Sequence, residues 1–332
     1  MKLKLIPLFI FGFIIISLIY SHFGLKDALD AFKKFTILPL IAFIIIAIII
    51  DYLLTYRWKL ILEANNIKIN FLKIWQYRLS GFAIGYLSPQ PNIGGDPIRA
   101  ILLKKDKVKF KKALSTVIID RSIQTLTDLI FAFIMILIIF FSIKISLKTK
   151  ILLFLIVSFP LLIIIYYFTA MKKNKPFFSK LFKRFKKIQQ NLIEIEKIIS
   201  NFHRKKNHIF IKTLLINFLV LLLIIIQYVF ILMLLNININ IITIFLLIIS
   251  ITIASAVPLP MNMGALEISQ ITALSFLKID QAIGLSISIL IRFLDLTKTI
   301  IGLNSLFYFG FNFEKILKIL KIKNDKKNNK EK

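Results

Sequence analysis

The sequence predicts an all-α polytopic membrane protein with about six full transmembrane helices and two proline-broken re-entrant hairpins. Hydrophobic residues make up 58% of the 332 residues, and the mean hydropathy is +0.83. Soluble domains are only about 45–50% apolar. Apolar runs of about 20 residues, the length that crosses a bilayer, recur along the chain. The formal net charge of +29 lies largely between these runs. That distribution favours loops facing anionic lipid over a nucleic-acid-binding surface.

The predicted spans follow one another from the N-terminus. Residues 5–20 follow two lysines, and no small-residue cleavage site comes after them, so we interpret them as an uncleaved signal anchor. The other predicted spans are residues 36–56, 113–142, 151–169, 213–235 and 281–311. Arg57, Trp58 and Lys59 follow the second span directly. We expect this trio to anchor the helix at the membrane interface.

These spans form a single integral membrane domain, residues 1–311, followed by a basic tail, residues 312–332. A polar loop, residues 172–212, holds 13 basic and two acidic residues. Apolar residues recur every three or four positions from Phe178 to Phe202, which predicts an amphipathic helix. Two interpretations remain open. The helix lies on the lipid headgroups, which we favour, or it docks a partner protein.

Lysine and arginine counts orient the chain in the cell membrane. With both termini cytoplasmic, 32 of the 45 basic side chains fall inside, including the patch 104–112 and the loop 172–212. Seven fall outside, and six lie within membrane segments. Such a bias is typical of cytoplasmic loops. Counting does not distinguish re-entrant hairpins from fully crossing ones.

Two proline-rich turns indicate an internal duplication. Pro89-Gln-Pro91 precedes Arg121 by 32 residues, and Pro258-Leu-Pro260 precedes Arg292 by 34. An aspartate follows each arginine on its own helix. In the predicted topology the two turns enter from opposite sides of the membrane. This pattern is typical of inverted repeats, whose binding sites lie near the bilayer midplane at broken helices. We place the repeats at about 36–142 and 213–311.

Proline and glycine define the expected turns. Proline removes a backbone donor and fixes φ, so these segments cannot continue as regular helix. Glycine permits the tight turn. The expected turn residues are Pro89, Pro91, Gly94, Gly95, Asp96, Pro258, Pro260 and Gly264. Asp96 is expected to cap a helix that starts at Pro97.

Charged residues within apolar helices are the candidate binding residues. Each costs about 2.5–3.5 kcal/mol at the bilayer centre, so a functional reason is expected. The candidates are Arg99, Asp120, Arg121, Asp128, Glu267, Arg292 and Asp295. An anionic headgroup would bind the arginines. Internal ion pairing is the alternative, and Arg292 could pair with Asp295, three residues away.

Other chemistries lack the residues they require. The chain has no cysteine, which excludes thiolate catalysis and disulfides. Its three histidines fall outside the apolar runs. We therefore predict no metal site, no cofactor and no catalytic residue, and whether the protein is an enzyme stays open.

Two motifs resemble the flippase-like integral membrane family, which includes the membrane domain of lysylphosphatidylglycerol synthases. The first is a Pro-x-x-x-Gly-Gly-(acid)-x-x-Arg turn followed by a helix with an (acid)-Arg pair. It matches Pro91, Gly94, Gly95, Asp96, Arg99, Asp120 and Arg121. The second, Pro-x-Pro-Gly-Gly-x-Gly-x-x-Glu, matches Pro258, Pro260, Gly264 and Glu267. Two of its glycines are Met261 and Asn262 here, a departure that puts close backbone approach at this turn in question.

The resemblance implies lipid handling without aminoacyl transfer, because the soluble transferase domain of the synthases has no counterpart in this sequence. The expected function is translocation or transport of a lipid with an anionic or modified headgroup. The alternatives are an intramembrane lipid-modifying transferase and a non-catalytic membrane partner of a soluble synthase. Membrane lipids are the expected partners. A second copy of the chain or a soluble synthase is a possible further partner, and nucleic acid is not.

Overall fold

A computed structural model describes residues 5–23, 36–88, 91–142, 146–181 and 185–311. Every regular element in these ranges is helical, which confirms the all-α polytopic fold. The helices are α1 (Leu5–Phe23), α2 (Ile37–Ala64), α3 (Phe71–Leu87), α4 (Pro91–Lys105), α5 (Phe110–Ser142), α6 (Leu147–Lys172), α7 (Phe178–Leu181), α8 (Lys186–Lys205), α9 (Asn207–Leu234), α10 (Ile241–Ala256), α11 (Ala265–Ser275) and α12 (Gln281–Tyr308). A 3₁₀ turn, Pro260–Asn262, joins α10 to α11.

Four helices in the described ranges are long and apolar enough to cross a membrane: α2, α5, the Phe154–Lys172 part of α6, and α9. Two more, α1 and α12, have 19 and 28 residues, the length a span needs. The shorter helices form two pairs, α3 with α4 and α10 with α11, and each pair precedes a long helix.

The long helices assemble around these two hairpins. α2 packs against α9, and α3 packs against α12. Each hairpin also packs on the long helix that follows it, α4 on α5 and α11 on α12. Large aliphatic side chains remain exposed on the outer faces, as at Ile48 and Ile156. Such faces suit contact with lipid chains.

The first hairpin is closed by helix-to-helix contact rather than by a glycine turn. α4 begins at Pro91, so Pro97 lies inside the helix and Asp96 is not its N-cap. That expectation was wrong because Gly94 and Gly95 are themselves helical. A Cβ on Gly95 would overlap the carbonyl of Gly81 on α3, so glycine allows the two backbones to touch. Pro89 lies outside the described residues.

The C-terminal half of the predicted amphipathic helix in loop 172–212 packs on the protein. The described helices of this loop are α7 and α8. Ile195, Ile199 and Phe202 of α8 are buried in the cluster that includes Val117 of α5 and Met171 of α6. Phe178, Phe185 and Ile188 of the same apolar face stay exposed, so contact of this part with headgroups stays a prediction.

His203 of α8 is buried in an aromatic cage. The rings of Phe168, Phe202 and Phe210 meet it edge-on at centroid distances of 5.0, 5.4 and 5.1 Å. Among the described residues its Nε2 has no hydrogen-bond partner. Burial lowers the pKa of the His203 imidazole to about 4, because the cage does not solvate the charged form. The ring is therefore neutral near pH 7.

Replacing His203 by Phe should make stability less sensitive to acid. The unfolded histidine, with a pKa of about 6.5, takes up its proton before the folded one. The contribution of the neutral His203 ring to the free energy of unfolding is therefore complete above pH 6.5, and it is lost as the pH falls toward 4. Thermal unfolding in lipid nanodiscs should show wild type losing about 3 kcal/mol more than His203→Phe between pH 7 and pH 4. Equal losses of stability in wild type and His203→Phe would contradict the burial of a neutral His203 in the aromatic cage.

Candidate functional site

A cavity of about 660 Å³ lies between the two hairpins. The first hairpin contributes Gly95 and Asp96, and the second turn contributes Met261 and Asn262. Residues of both turn regions therefore line one cavity. α2, α5 and α12 supply much of the remaining wall.

Charged side chains dominate the cavity wall. Five are basic and five are acidic, so the wall is formally neutral when all are ionised. They are Arg57, Arg78, Arg99, Arg121, Lys298, Asp51, Asp96, Asp120, Asp128 and Asp295. Five of the seven predicted binding residues are among them. The other two, Glu267 and Arg292, pair with each other at the second turn.

The two hairpins are fastened by the same kind of ion pair. Arg121 of α5 binds Asp96 with two bonds, Nε to Oδ2 at 3.0 Å and Nη2 to Oδ1 at 2.9 Å. Arg292 of α12 binds Glu267 in the same way, at 2.5 and 2.9 Å. In both pairs the arginine follows the carboxylate by 25 residues. Each pair ties the second helix of a hairpin to the next long helix.

Arg292 is fully engaged by the second turn. Besides Glu267, it donates to the carbonyls of Met261 at 3.0 Å and Asn262 at 3.3 Å. It also reaches the Tyr86 hydroxyl at 3.5 Å. Its partner is therefore Glu267, not Asp295, the partner that sequence proximity suggested. Its side chain is 13% exposed, whereas that of Arg121 is 33% exposed.

A buried triad lies beside the first hairpin. Asp120 accepts from Arg57 Nε at 2.8 Å and from Arg99 Nη2 at 2.7 Å. All three residues are at most 5% exposed. The Arg99 guanidinium also stacks 4.0 Å from the Trp58 ring. Its Nε has no hydrogen-bond partner among the described residues. Two cations share one anion, so the triad carries a net positive charge.

Arg57 and Trp58 are not interfacial anchors, contrary to the sequence-based expectation. α2 continues to Ala64, well past the predicted end of the span, so both residues lie within the packed helix. Arg57 also donates to Asn217 of α9. Lys59 alone stays partly exposed, where it pairs with Glu63.

Four charged cavity residues were not predicted as site residues: Asp51, Arg57, Arg78 and Lys298. Arg78 of α3 donates to Asp51 and Thr55 of α2, which joins the first hairpin to that span. Lys298 lies one helical turn after Asp295. Each is a charged residue in an apolar or half-apolar segment, the same signal that identified the other candidates.

The chain repeats its helix boundaries about 170 residues apart. α2 and α9 start at residues 37 and 207 and end at 64 and 234. Asn66 and Asn236, just after these helices, have φ of 54° and 52°. Asn70 and Asn240 then cap α3 and α10 through their side chains. Near-identical sequences, Asn66-Ile-Lys-Ile-Asn70 and Asn236-Ile-Asn-Ile-Asn240, form these connections.

The match continues to the end of each half, with the separation one residue longer from Arg99 onward, and it shows a difference in charge. Lys107 and Lys278, with φ of 60° and 58°, precede α5 and α12. The positions that match Arg57, Arg99 and Asp120 are Gln227, Gln270 and Ile291. The whole triad is thus neutral in the second half.

The second turn places non-glycine residues in left-handed backbone. Met261 has φ of 54° and Asn262 has φ of 51°. These are the positions where the resembling family motif carries glycine. Gly264 follows with φ of 80°, and a Cβ there would strike Ile15 of α1. The turn is therefore as tight as the motif implies, although two of its glycines are absent.

These features define a polytopic membrane protein with a charged cavity enclosed by two helical hairpins. Residues 4–302 match the family described as lysylphosphatidylglycerol synthase TM region. The chain belongs to that family, which confirms the resemblance drawn from its motifs.

Curated relatives are archaeal membrane proteins. A UPF0104 membrane protein of Methanothermobacter thermautotrophicus is 29% identical over 126 residues, covering 38% of this chain and 37% of the relative. One of Methanocaldococcus jannaschii is 29% identical over 135 residues, or 40% of each chain. One of Pyrococcus horikoshii is 29% identical over 77 residues, or 23% of each. The matches thus span about two fifths or less of the relatives' lengths. No solved structure matches.

Glycine at residue 261 should stabilise the protein. A residue other than glycine costs about 1–2 kcal/mol in left-handed backbone, and glycine avoids this cost. Glycine also gives the unfolded chain more conformational entropy, which cancels part of the gain. We expect Met261→Gly to gain about 1 kcal/mol, measured by thermal unfolding in nanodiscs. Met263→Gly is the matched control. Its φ is −59° and its side chain faces Gly12 of α1, so it should lose stability. A lower stability of Met261→Gly would show that the backbone at Met261 is not strained.

Removing only the anion of the triad should cost more than removing the whole triad. Asp120→Asn leaves Arg57 without its ion-pair partner and Arg99 with only Asp96, at 3.7 Å, a loss of about 3–5 kcal/mol. The triple variant Arg57→Gln, Arg99→Gln, Asp120→Ile installs the residues of the second half and leaves no charge at these three positions. Unfolding in detergent should rank it as more stable than Asp120→Asn. If Asp120→Asn were more stable than the triple variant, the result would argue against both the buried triad and the match between the residues of the two halves.

Proposed function

We propose that this protein translocates a lipid with an anionic headgroup and that the headgroup passes through the charged cavity. The observation that carries the proposal is a cavity rich in charge within a bundle of membrane-spanning helices. Charged groups are costly at membrane depth unless they face one another or a polar space. Here ten of them surround a space of about 660 Å³.

The arginines beside the first hairpin suit a phosphate. Among the described residues, Arg57, Arg99 and Arg121 form ion pairs with Asp96 and Asp120, so these five side chains together carry one positive charge. The Nε of Arg99 has no hydrogen-bond partner among the described residues. Arg121 and Arg292, the two clamp arginines, hold the carboxylates of the two hairpins, and Arg121 is the more exposed of the two. A guanidinium binds phosphate through two parallel bonds, which favours an anionic headgroup over a neutral one.

Inverted repeats are part of the proposal. The matched helix boundaries, the paired asparagine caps and the two 25-residue ion pairs support a duplication. If the halves insert in opposite directions, α3–α4 and α10–α11 are re-entrant hairpins that enter from opposite sides. Such an arrangement allows alternate access to one central site. The basic loops then lie in the cytoplasm, with both termini.

A headgroup-binding role predicts that Arg121→Lys impairs transport. Lysine keeps the charge but loses the planar fork. We expect at least about a tenfold slower translocation of fluorescent phosphatidylglycerol in reconstituted vesicles, with the melting temperature changed by only a few degrees.

Lys59→Gln is the matched control, because Lys59 is partly exposed and lies away from the cavity wall. It should transport at the wild-type rate. Full transport by both Arg121→Lys and Arg121→Gln at unchanged stability would eliminate the proposed role.

A further inference from the structure

A second space, an apolar groove of about 310 Å³, lies between α5 and α6. Val117 and Ile118 form one wall, and Ile163 and Ile164 form the other. Phe177, just before α7, is also part of its lining. Most of the lining offers no hydrogen bond, so water gains little there and a hydrocarbon chain fits better.

The groove meets the charged cavity at one ion pair. Asp96 and Arg121 line both spaces. The pair therefore forms the boundary between a polar compartment and an apolar one. An amphiphile has this same division, with a charged head joined to a flexible chain.

The outer wall of the groove belongs to a lipid-facing helix. Ile163 is 46% exposed, and its neighbours Leu162 and Tyr166 are more exposed still. Pro160 lies inside α6 one turn earlier, where it removes a helical hydrogen bond and favours a kink in the helix. A chain could thus enter sideways from the bilayer without leaving an apolar environment.

We propose that this groove binds a hydrocarbon chain of the lipid whose headgroup occupies the cavity. The Asp96–Arg121 pair then lies beside the linkage between head and chain. This inference rests on the proposed function and narrows its substrate to an amphiphile with a long flexible chain, to the exclusion of a free water-soluble anion.

Photocrosslinking tests the groove directly. The full chain is placed in nanodiscs that contain a trace of phosphatidylglycerol with a diazirine near the middle of one acyl chain. After irradiation, mass spectrometry maps the labelled peptides. We expect enrichment on the groove walls, residues 114–122 and 163–178, over the exposed face of α2.

Two tryptophan variants on α6 separate the groove from ordinary lipid contact. Ile164→Trp fills the groove and should reduce labelling of residues 114–122 at least about fivefold. Ile156→Trp makes the same change on an exposed face outside the groove and should leave this labelling unchanged. Ile118→Trp fills the groove from α5 and serves if Ile164→Trp does not fold. Equal labelling in filled and control variants would overturn the proposal.

The headgroup arm distinguishes this inference from the proposed function. Phosphatidylcholine with the same diazirine chain is tested in parallel. Equal groove labelling by both lipids, abolished by Ile164→Trp, supports the groove and counts against a preference for anionic headgroups. Translocation that depends on Arg121 without any groove labelling supports the cavity and overturns the groove.

Discussion

The fold depends on two bidentate arginine–carboxylate pairs that join each hairpin to the long helix after it. The turn between the two helices of a hairpin leaves backbone groups that need partners. Arg292 supplies them directly, because it binds both Glu267 and the carbonyls of the turn. Arg121 and Asp96 repeat the connection at the first hairpin, with the same 25-residue separation. With the hairpins fixed in this way, the remaining helices enclose the cavity between them.

The charge around that cavity is more than the fold requires. The second half packs with Gln227, Gln270 and Ile291 where the first half has Arg57, Arg99 and Asp120. Neutral residues therefore suffice to build the same arrangement of helices. Buried ion groups seldom stabilise a protein more than well-packed apolar ones do. Under the proposed function, the triad serves the electrostatics of the cavity, because its two arginines and one aspartate place a net positive charge beside the first hairpin.

Sequence patterns predicted the fold class and six of the ten charged cavity residues, because apolar runs set the spans and charges within them stand out. They did not predict the partners. Arg292 was matched to Asp295 by proximity, yet it reaches back 25 residues to Glu267, a contact that only tertiary packing creates. Arg57 was misplaced because hydropathy ends the span before the helix ends at Ala64. Asp96 was expected to cap a helix because Pro97 resembles a first helical residue, whereas α4 starts six residues earlier. The repeated asparagine connections are visible in the sequence and support the predicted duplication more strongly than the prolines do.

The two clamp arginines have the same geometry but different surroundings, and this difference separates structure from function. Every nitrogen of Arg292 is engaged by protein groups, and the side chain is 13% exposed. It has no donor left for a ligand. Arg121 uses its nitrogens on Asp96 and Gln124 alone, with a third of its side chain exposed to the spaces it borders. A carboxylate partner can be exchanged for a phosphate at such a position without leaving the guanidinium unpaired. Under the proposed function, the Asp96–Arg121 pair of the first hairpin is therefore the one that faces the ligand, whereas the Glu267–Arg292 pair holds the turn of the second hairpin.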